Sequence, residues 1–228
     1  MAACLGVLGS SIWAARLAGV MSGVLLIPAQ YVLVRSLPLP RAGRTAVVAA
    51  ALAATTFWPV AQARYALRAG LLPLWVTLML WAWWRAVDRG SNRHAVVAGV
   101  MLALAVHTHL TGRLLPFVLL VSALWAVWRT RRRQAWIALA TVLAVAAVLS
   151  LPQITYFARQ PEMLAYRADQ VSVLNPDVNE GDLVGTLAAN AWRLLRAPLW
   201  KGDGSWYHNL SGRPVFDPLV AIGFLVGL

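Results

Sequence analysis

The sequence predicts an all-α fold: a polytopic transmembrane helix bundle with a long, partly helical extracytoplasmic loop. Three observations carry that expectation. Of 228 residues, 60% are apolar and only 12% charged, at a mean hydropathy of +0.66, whereas soluble domains carry about 25% charged residues. A soluble monomer of this length could not hide so much apolar area. The charged residues also fence off uncharged runs about as long as a bilayer is thick, without the alternation of outer-membrane strands. Finally, the segments between the runs alternate between arginine-rich and arginine-poor. Disorder is excluded, since disordered chains are poor in apolar residues. The single Cys4 excludes a disulfide framework and a cysteine-built zinc site.

Taken in order, six spans are expected at about 17–34, 45–63, 69–84, 94–112, 114–128 and 134–158. Each lies between the charges that bound it: Arg16 and Arg35, Arg44 and Arg64, Arg68 and Arg85, Arg93 and Arg113, Arg113 and Arg129, Arg133 and Arg159. The uncharged runs measure 18, 19, 16, 19, 15 and 25 residues, around the ~20 that a crossing helix needs. Residues 1–158 are therefore the bundle, 159–217 the loop, and 218–228 the start of a further span. Residues 1–15 are too short to cross and lack the basic start of a signal peptide. The last apolar run stops at Leu228, so the chain is expected to be a fragment of a larger membrane protein.

Orientation follows from arginine. Arg35, Arg41 and Arg44, then Arg85, Arg89 and Arg93, then Arg129, Arg131, Arg132 and Arg133 occupy one set of short segments. The other set holds only Arg64, Arg68 and Arg113. Basic residues in short loops stay inside, so the rich set is expected to be cytoplasmic in a multi-pass plasma-membrane protein. Trp81, Trp83, Trp84, Trp125, Trp128 and Trp136 lie near those arginines, at interface depth. The net charge of +12 is then a topology signal and an attraction to anionic lipid, and nucleic acid is not expected as a partner. Residues 159–217 fall outside and hold seven of the eight acids: Glu162, Asp169, Asp177, Glu180, Asp182, Asp203 and Asp217. Within them, Leu183, Leu187, Ala191, Leu194 and Leu195 share a helical face while Arg193 and Arg196 fall elsewhere. That pattern predicts a helix lying in the outer interface.

Candidate chemistry gathers on the outer side. The span after Arg113 is short for the hydrocarbon core, so Arg113 either faces a polar cavity at membrane depth or snorkels; the same choice holds for Arg68. Arg64 and Arg68, in ARYALRAG, are one helical turn apart and could share a phosphate or pyrophosphate, or simply anchor the helix. His107 and His109, in HTHLTGR, are two residues apart and so on different faces, which disfavours a metal pair. Hydrogen bonding in an outer vestibule suits them better, and a divalent cation stays open. The block KGDGSWYHNLSGRPVFDP brings Asp203, Trp206, Tyr207, His208, Asn209, Arg213 and Asp217 into a turn-rich segment. It suits sugar recognition or a rigid cap over the bundle, and Asn209-Leu210-Ser211 also matches a glycosylation acceptor. P-loop, dinucleotide-binding, nucleophile-elbow and HExxH motifs are missing. So are the intramembrane carboxylates of a proton pump and the paired mid-span histidines of an electron carrier.

Five segments carry a family resemblance: AARLAGVMSGVLLIPAQYVLVRSL (14–37), ARYALRAGLLPLWVTLMLWAWWRA (63–86), AGVMLALAVHTHLTGRLLPFVLL (98–120), LPQITYFARQPEMLAYRADQVSVLNP (151–176) and GDGSWYHNLSGRPVFDPLVAIGFLVGL (202–228). In this order they resemble the C-type membrane glycosyltransferases, specifically the bacterial branch related to dolichyl-phosphate-mannose–protein mannosyltransferases. The resemblance implies an inverting transfer of a sugar from a polyprenyl-phosphate donor to an acceptor glycan, lipid or protein on the outer face. It implies that the catalytic acid sits in a first outer loop upstream of this chain, which would be inactive alone. It makes Arg64, Arg68 and Arg113 candidates for the lipid phosphate, and His107, His109, Arg167, Asp203, His208, Asn209 and Arg213 candidates for the vestibule. Histidines stand where relatives often place aromatics before the fourth-span arginine.

Two rival functions remain at this level. A transporter or flippase component for small molecules or lipid-linked anions would use the outer arginines as an anion path. It predicts broken spans in two repeated halves, and Pro28, Pro59, Pro73 and Pro116 show no such pattern. A non-catalytic membrane scaffold would use the outer loop only to bind a partner.

Overall fold

A computed structural model describes residues 6–64, 67–130, 133–163, 172–205 and 209–227, without the side chains of residues 129 and 130. The described residues are helical, with no strand among them. They divide into two compact units, one up to Gln153 and one from Ile154 onward.

The first unit contains α1 (Ile12–Ser36), α2 (Ala42–Thr55), α3 (Phe57–Arg64), a 3-10 turn at Arg68–Leu71, α4 (Leu72–Arg89), α5 (Asn92–Thr108), a second 3-10 turn at Leu110–Leu114, α6 (Leu115–Thr130) and most of α7 (Gln134–Arg159). Its core is built largely from small side chains. Ala82 and Ala86 of α4, Ala95, Ala98 and Ala103 of α5, Ala123 of α6, and Ala135, Ala138 and Ala146 of α7 are buried with Met79, Trp83, Leu102, Leu119 and Val142. The large apolar residues Phe117, Val121, Trp128, Val148 and Leu151 point outward. In water this arrangement would be inverted. In lipid it is favourable, because small residues let helix backbones approach and nothing drives large ones inside. Gly99 shows the closeness: a Cβ there would lie 2.8 Å from the Val142 carbonyl oxygen of α7.

Among the described residues, four segments are long and apolar enough to cross a bilayer: Ile12–Ser36, Arg68–Arg89, Leu110–Trp128 and Gln134–Arg159. The helix expected over 45–63 is broken instead. It bends by 51° between α2 and α3, and Thr56 is extended at the break. The cause is Pro59, which has no N–H to give the Thr55 carbonyl four residues back. Together the bent pair would make a fifth crossing segment.

Long-range hydrogen bonds fix the helix directions. Ser22 Oγ of α1 donates to the Gly70 carbonyl in the turn just before α4, and Trp84 Nε1 near the end of α4 donates to the Ser36 carbonyl at the end of α1. The two helices therefore run the same way. The α4–α5 reversal takes only Gly90, left-handed at φ 64°, and Ser91. Trp83 Nε1 donates to Ser122 Oγ, tying α4 to α6. One end of this unit thus carries Arg35, Arg41, Arg44, Arg85, Arg89, Arg93 and Arg133; the opposite end carries Arg16, Arg64, Arg68 and Arg113.

The second unit contains α8 (Pro176–Asn179), α9 (Leu183–Arg196) and α10 (Pro218–Gly227). Asp182 caps α9 by accepting the Gly185 N–H at 2.8 Å. The apolar face of α9 is turned away from its unit: Val184, Leu194 and Leu195 are 77%, 75% and 74% exposed. Thr186 and Asn190, on the polar face, are half-buried.

Candidate functional site

The first group of candidate residues sits on and beside two 3-10 turns that both pack against α5. Arg64 ends α3 and is exposed. Arg68, also exposed, opens the first turn, which follows Leu67 in an extended conformation (φ −104°, ψ 136°). The expected single helix carrying both arginines one turn apart is therefore not formed. Leu67 is extended ahead of the turn, and the turn folds back on α3: a Cβ on Gly70 would lie 3.0 Å from the Gln62 carbonyl oxygen. Arg64 and Arg68 remain at the same end of the unit through this fold-back rather than through helical periodicity.

The second turn is built by HTHLTGR. His107, in the last turn of α5, donates from Nε2 to the Leu149 carbonyl of α7 at 3.3 Å. Pro152 lacks the N–H that the Val148 carbonyl would take, which loosens α7 just where His107 meets it. His109 stops α5, its backbone extended at φ −152°, ψ 151°. Its N–H still reaches the Ala105 carbonyl, and its own carbonyl takes the Gly112 N–H at 2.9 Å. Its Nδ1 accepts the Thr111 N–H at 3.3 Å and lies 2.9 Å from Thr111 Oγ1. Gly112 is buried against the Ala105 carbonyl, where a Cβ would overlap it. Arg113 follows, half-buried, at the entrance to α6. Thr111 and Gly112 have no place among the residues singled out from sequence. Their signal is the spacing from His109, which offers an acceptor two residues before a donor and a glycine where the chain doubles back.

The second group lies in the other unit, in the loop between α9 and α10. Asn209, 3% exposed, donates from Nδ2 to the carbonyls of Asp203 at 2.9 Å and Arg213 at 2.8 Å. Asp203 accepts the Ser205 N–H at 3.0 Å. Arg213 pairs with Asp217. Gly202 allows the two strands of the loop to cross, since a Cβ there would overlap the Arg213 carbonyl. Backbone bonds from Val215 to Ala197 and from Phe216 to Pro198 close the loop at its base. Both amide hydrogens of Asn209 are engaged and the residue is buried, so the Asn-Leu-Ser triplet presents no glycosylation acceptor in the folded chain. Arg167 and His208 lie outside the described residues. Among the described residues, no three His, Cys, Asp or Glu side chains converge to hold a metal ion.

The structure therefore brings Arg64, Arg68, His107, His109 and Arg113 to one end of the first unit. It gathers Asp203, Asn209 and Arg213 in one loop of the second. A model of the dolichyl-phosphate-mannose-protein mannosyltransferase family matches residues 1–156. The chain belongs to this family. It is a multi-pass membrane glycosyltransferase of the mannosyltransferase type. The match takes in the first unit and only the first three residues of the second, so Arg64, Arg68, His107, His109 and Arg113 fall within it and the 197–217 loop beyond it. No curated protein and no solved structure matches the chain.

Proposed function

We propose that this mannosyltransferase-family protein moves a sugar from a polyprenyl-phosphate donor to an acceptor at the outer face of the plasma membrane. In this reading Arg113, with Arg64 and Arg68, receives the donor phosphate. The observation that carries it is the placement of Arg68 and Arg113 on two turns against one helix, α5, at the end of the unit poor in arginine. Basic loops stay inside, so arginines at the sparse end need another reason to be there. As the bond between the sugar and the phosphate breaks, negative charge grows on the phosphate oxygens. A preset guanidinium stabilises that charge through short, charge-assisted bonds. The acceptor hydroxyl attacks the anomeric carbon from the opposite side, which inverts its configuration, and gives up its proton to a general base.

Residues 159–217 would be extracytoplasmic, with α9 in the membrane interface. Its exposed Val184, Leu187, Leu194 and Leu195 supply a face for the acyl boundary, and Arg193 and Arg196 lie off that face for headgroups.

The test is Arg113→Ala in enzyme purified from its native membrane. Transfer is expected to fall about a hundredfold, the cost of one lost oxyanion-stabilising donor, with unchanged membrane insertion. Arg113→Lys should recover part of the loss. Wild-type turnover at equal expression would remove Arg113 from the site.

A further inference from the structure

We propose that His109 is a positioning residue for Arg113, fixing the turn that presents the guanidinium to a phosphate-bearing lipid. The proposal rests on the reading of Arg113 as a phosphate ligand. A 3-10 turn has poorer hydrogen bonds than an α-helix and rarely persists unaided. The Leu110–Leu114 turn is clamped from its N-terminal side. His109 ends α5 while keeping its N–H on the Ala105 carbonyl. Its Nδ1 then takes the Thr111 N–H, one of the donors that a new helical segment leaves without an internal partner. That is the work usually done by a Ser, Asp or Asn cap. Three residues after His109, Gly112 rests on the Ala105 carbonyl with space for hydrogen alone, and its N–H closes on the His109 carbonyl. Arg113 is the next residue. Its Cα position relative to α5 is therefore set by the cap on one side and by the glycine contact on the other.

His107 works differently, since it bonds to α7 and not to the turn. The pair two residues apart thus divides its labour: one histidine ties helix to helix and the other sets the arginine.

The experiment compares His109→Ala, His109→Asn and Arg113→Ala in the purified enzyme held in nanodiscs. Two quantities are read: affinity for farnesyl phosphate, and the rate at which phenylglyoxal modifies Arg113, followed by mass spectrometry. Loss of one cap predicts about a fivefold weaker affinity in His109→Ala, together with a faster Arg113 reaction. Asn offers an Oδ1 to the same N–H, so His109→Asn should return both readings to near wild type. In an Arg113→Ala background, His109→Ala should cause no further loss. The proposal is overturned if His109→Ala leaves the Arg113 modification rate unchanged, if Asn fails to rescue, or if the two losses multiply in the double variant. If Arg113→Ala alone leaves farnesyl phosphate binding intact, the phosphate reading of Arg113 fails instead. The modification rate then decides whether His109 sets the arginine.

Discussion

The turn at 109–114 and the loop at 197–217 are built from similar residues: glycines, an arginine, and a side chain able to cap backbone. They differ in which residues close the backbone. In the turn, closure comes from His109 and Gly112, the neighbours of Arg113. In the loop, closure comes from the candidate residues themselves, with Asn209 spending both amide hydrogens on carbonyls and Asp203 spending a carboxylate oxygen on Ser205. A composition that suits sugar recognition can equally be the frame of a loop. The distinction lies in where the donors and acceptors are used. Substitutions in the loop should therefore act on folding first, and substitutions in the turn on the presentation of Arg113.

The sharpest way to break this comparison is Asn209→Asp. The carboxylate would face the Asp203 and Arg213 carbonyls that now accept the amide, losing two bonds and burying a repelled charge. A cost of about 3 kcal/mol or more to the second unit is expected. It should appear as proteolytic cleavage within 197–217 at protease levels that spare the wild type. An Asn209→Asp protein with wild-type resistance and lost transfer activity would make the loop a site after all.

How much of this was legible in the sequence follows from the same physics. The all-α membrane class was legible, because crossing a bilayer is decided by run length and charge spacing, both of which the chain displays directly. The break at Thr56 was not expected, although Pro59 was visible, because proline interrupts some helices and not others: α1 runs through Pro28. The shared face of Arg64 and Arg68 was expected from periodicity and failed, since Gly70 folding back onto Gln62 is a tertiary contact. His109 and Arg113 were legible as candidates by residue type. Their relation was hidden, because a cap depends on the φ and ψ of His109. The role of Asn209 was hidden for a like reason: its partners are backbone carbonyls, which every residue has.

A smaller effect sharpens the turn side of the comparison. Gly112→Ala would push a methyl group into the Ala105 carbonyl, and relief requires the turn to lift from α5. Overpacking of this kind costs about 2 kcal/mol, and here the strain falls on one turn. Farnesyl phosphate binding should weaken at least as much as in His109→Ala, while protease resistance of 197–217 stays at the wild-type level. Equal damage to both readings would mean that the turn and the loop cannot be separated in this way.

The smallest expected effect belongs to the Arg213–Asp217 pair. The two side chains are 36% and 22% exposed, so solvent screens much of their attraction, and pairs of this kind contribute about 1 kcal/mol or less. Asp217 also stands immediately before α10 and takes the Ala221 N–H on its carbonyl, a position where a carboxylate gains a little from the helix dipole. Asp217→Asn keeps the shape and removes the charge. It should lower the resistance of the loop slightly at low ionic strength. The difference from wild type should shrink toward about 1 M salt, where the screening length falls to roughly 3 Å. Asn209→Asp should keep most of its deficit under the same salt, because its lost bonds are to neutral carbonyls inside the loop. If instead Asp217→Asn proved the more damaging of the two, the loop would be held by its ion pair, and Asn209 would be released for another role.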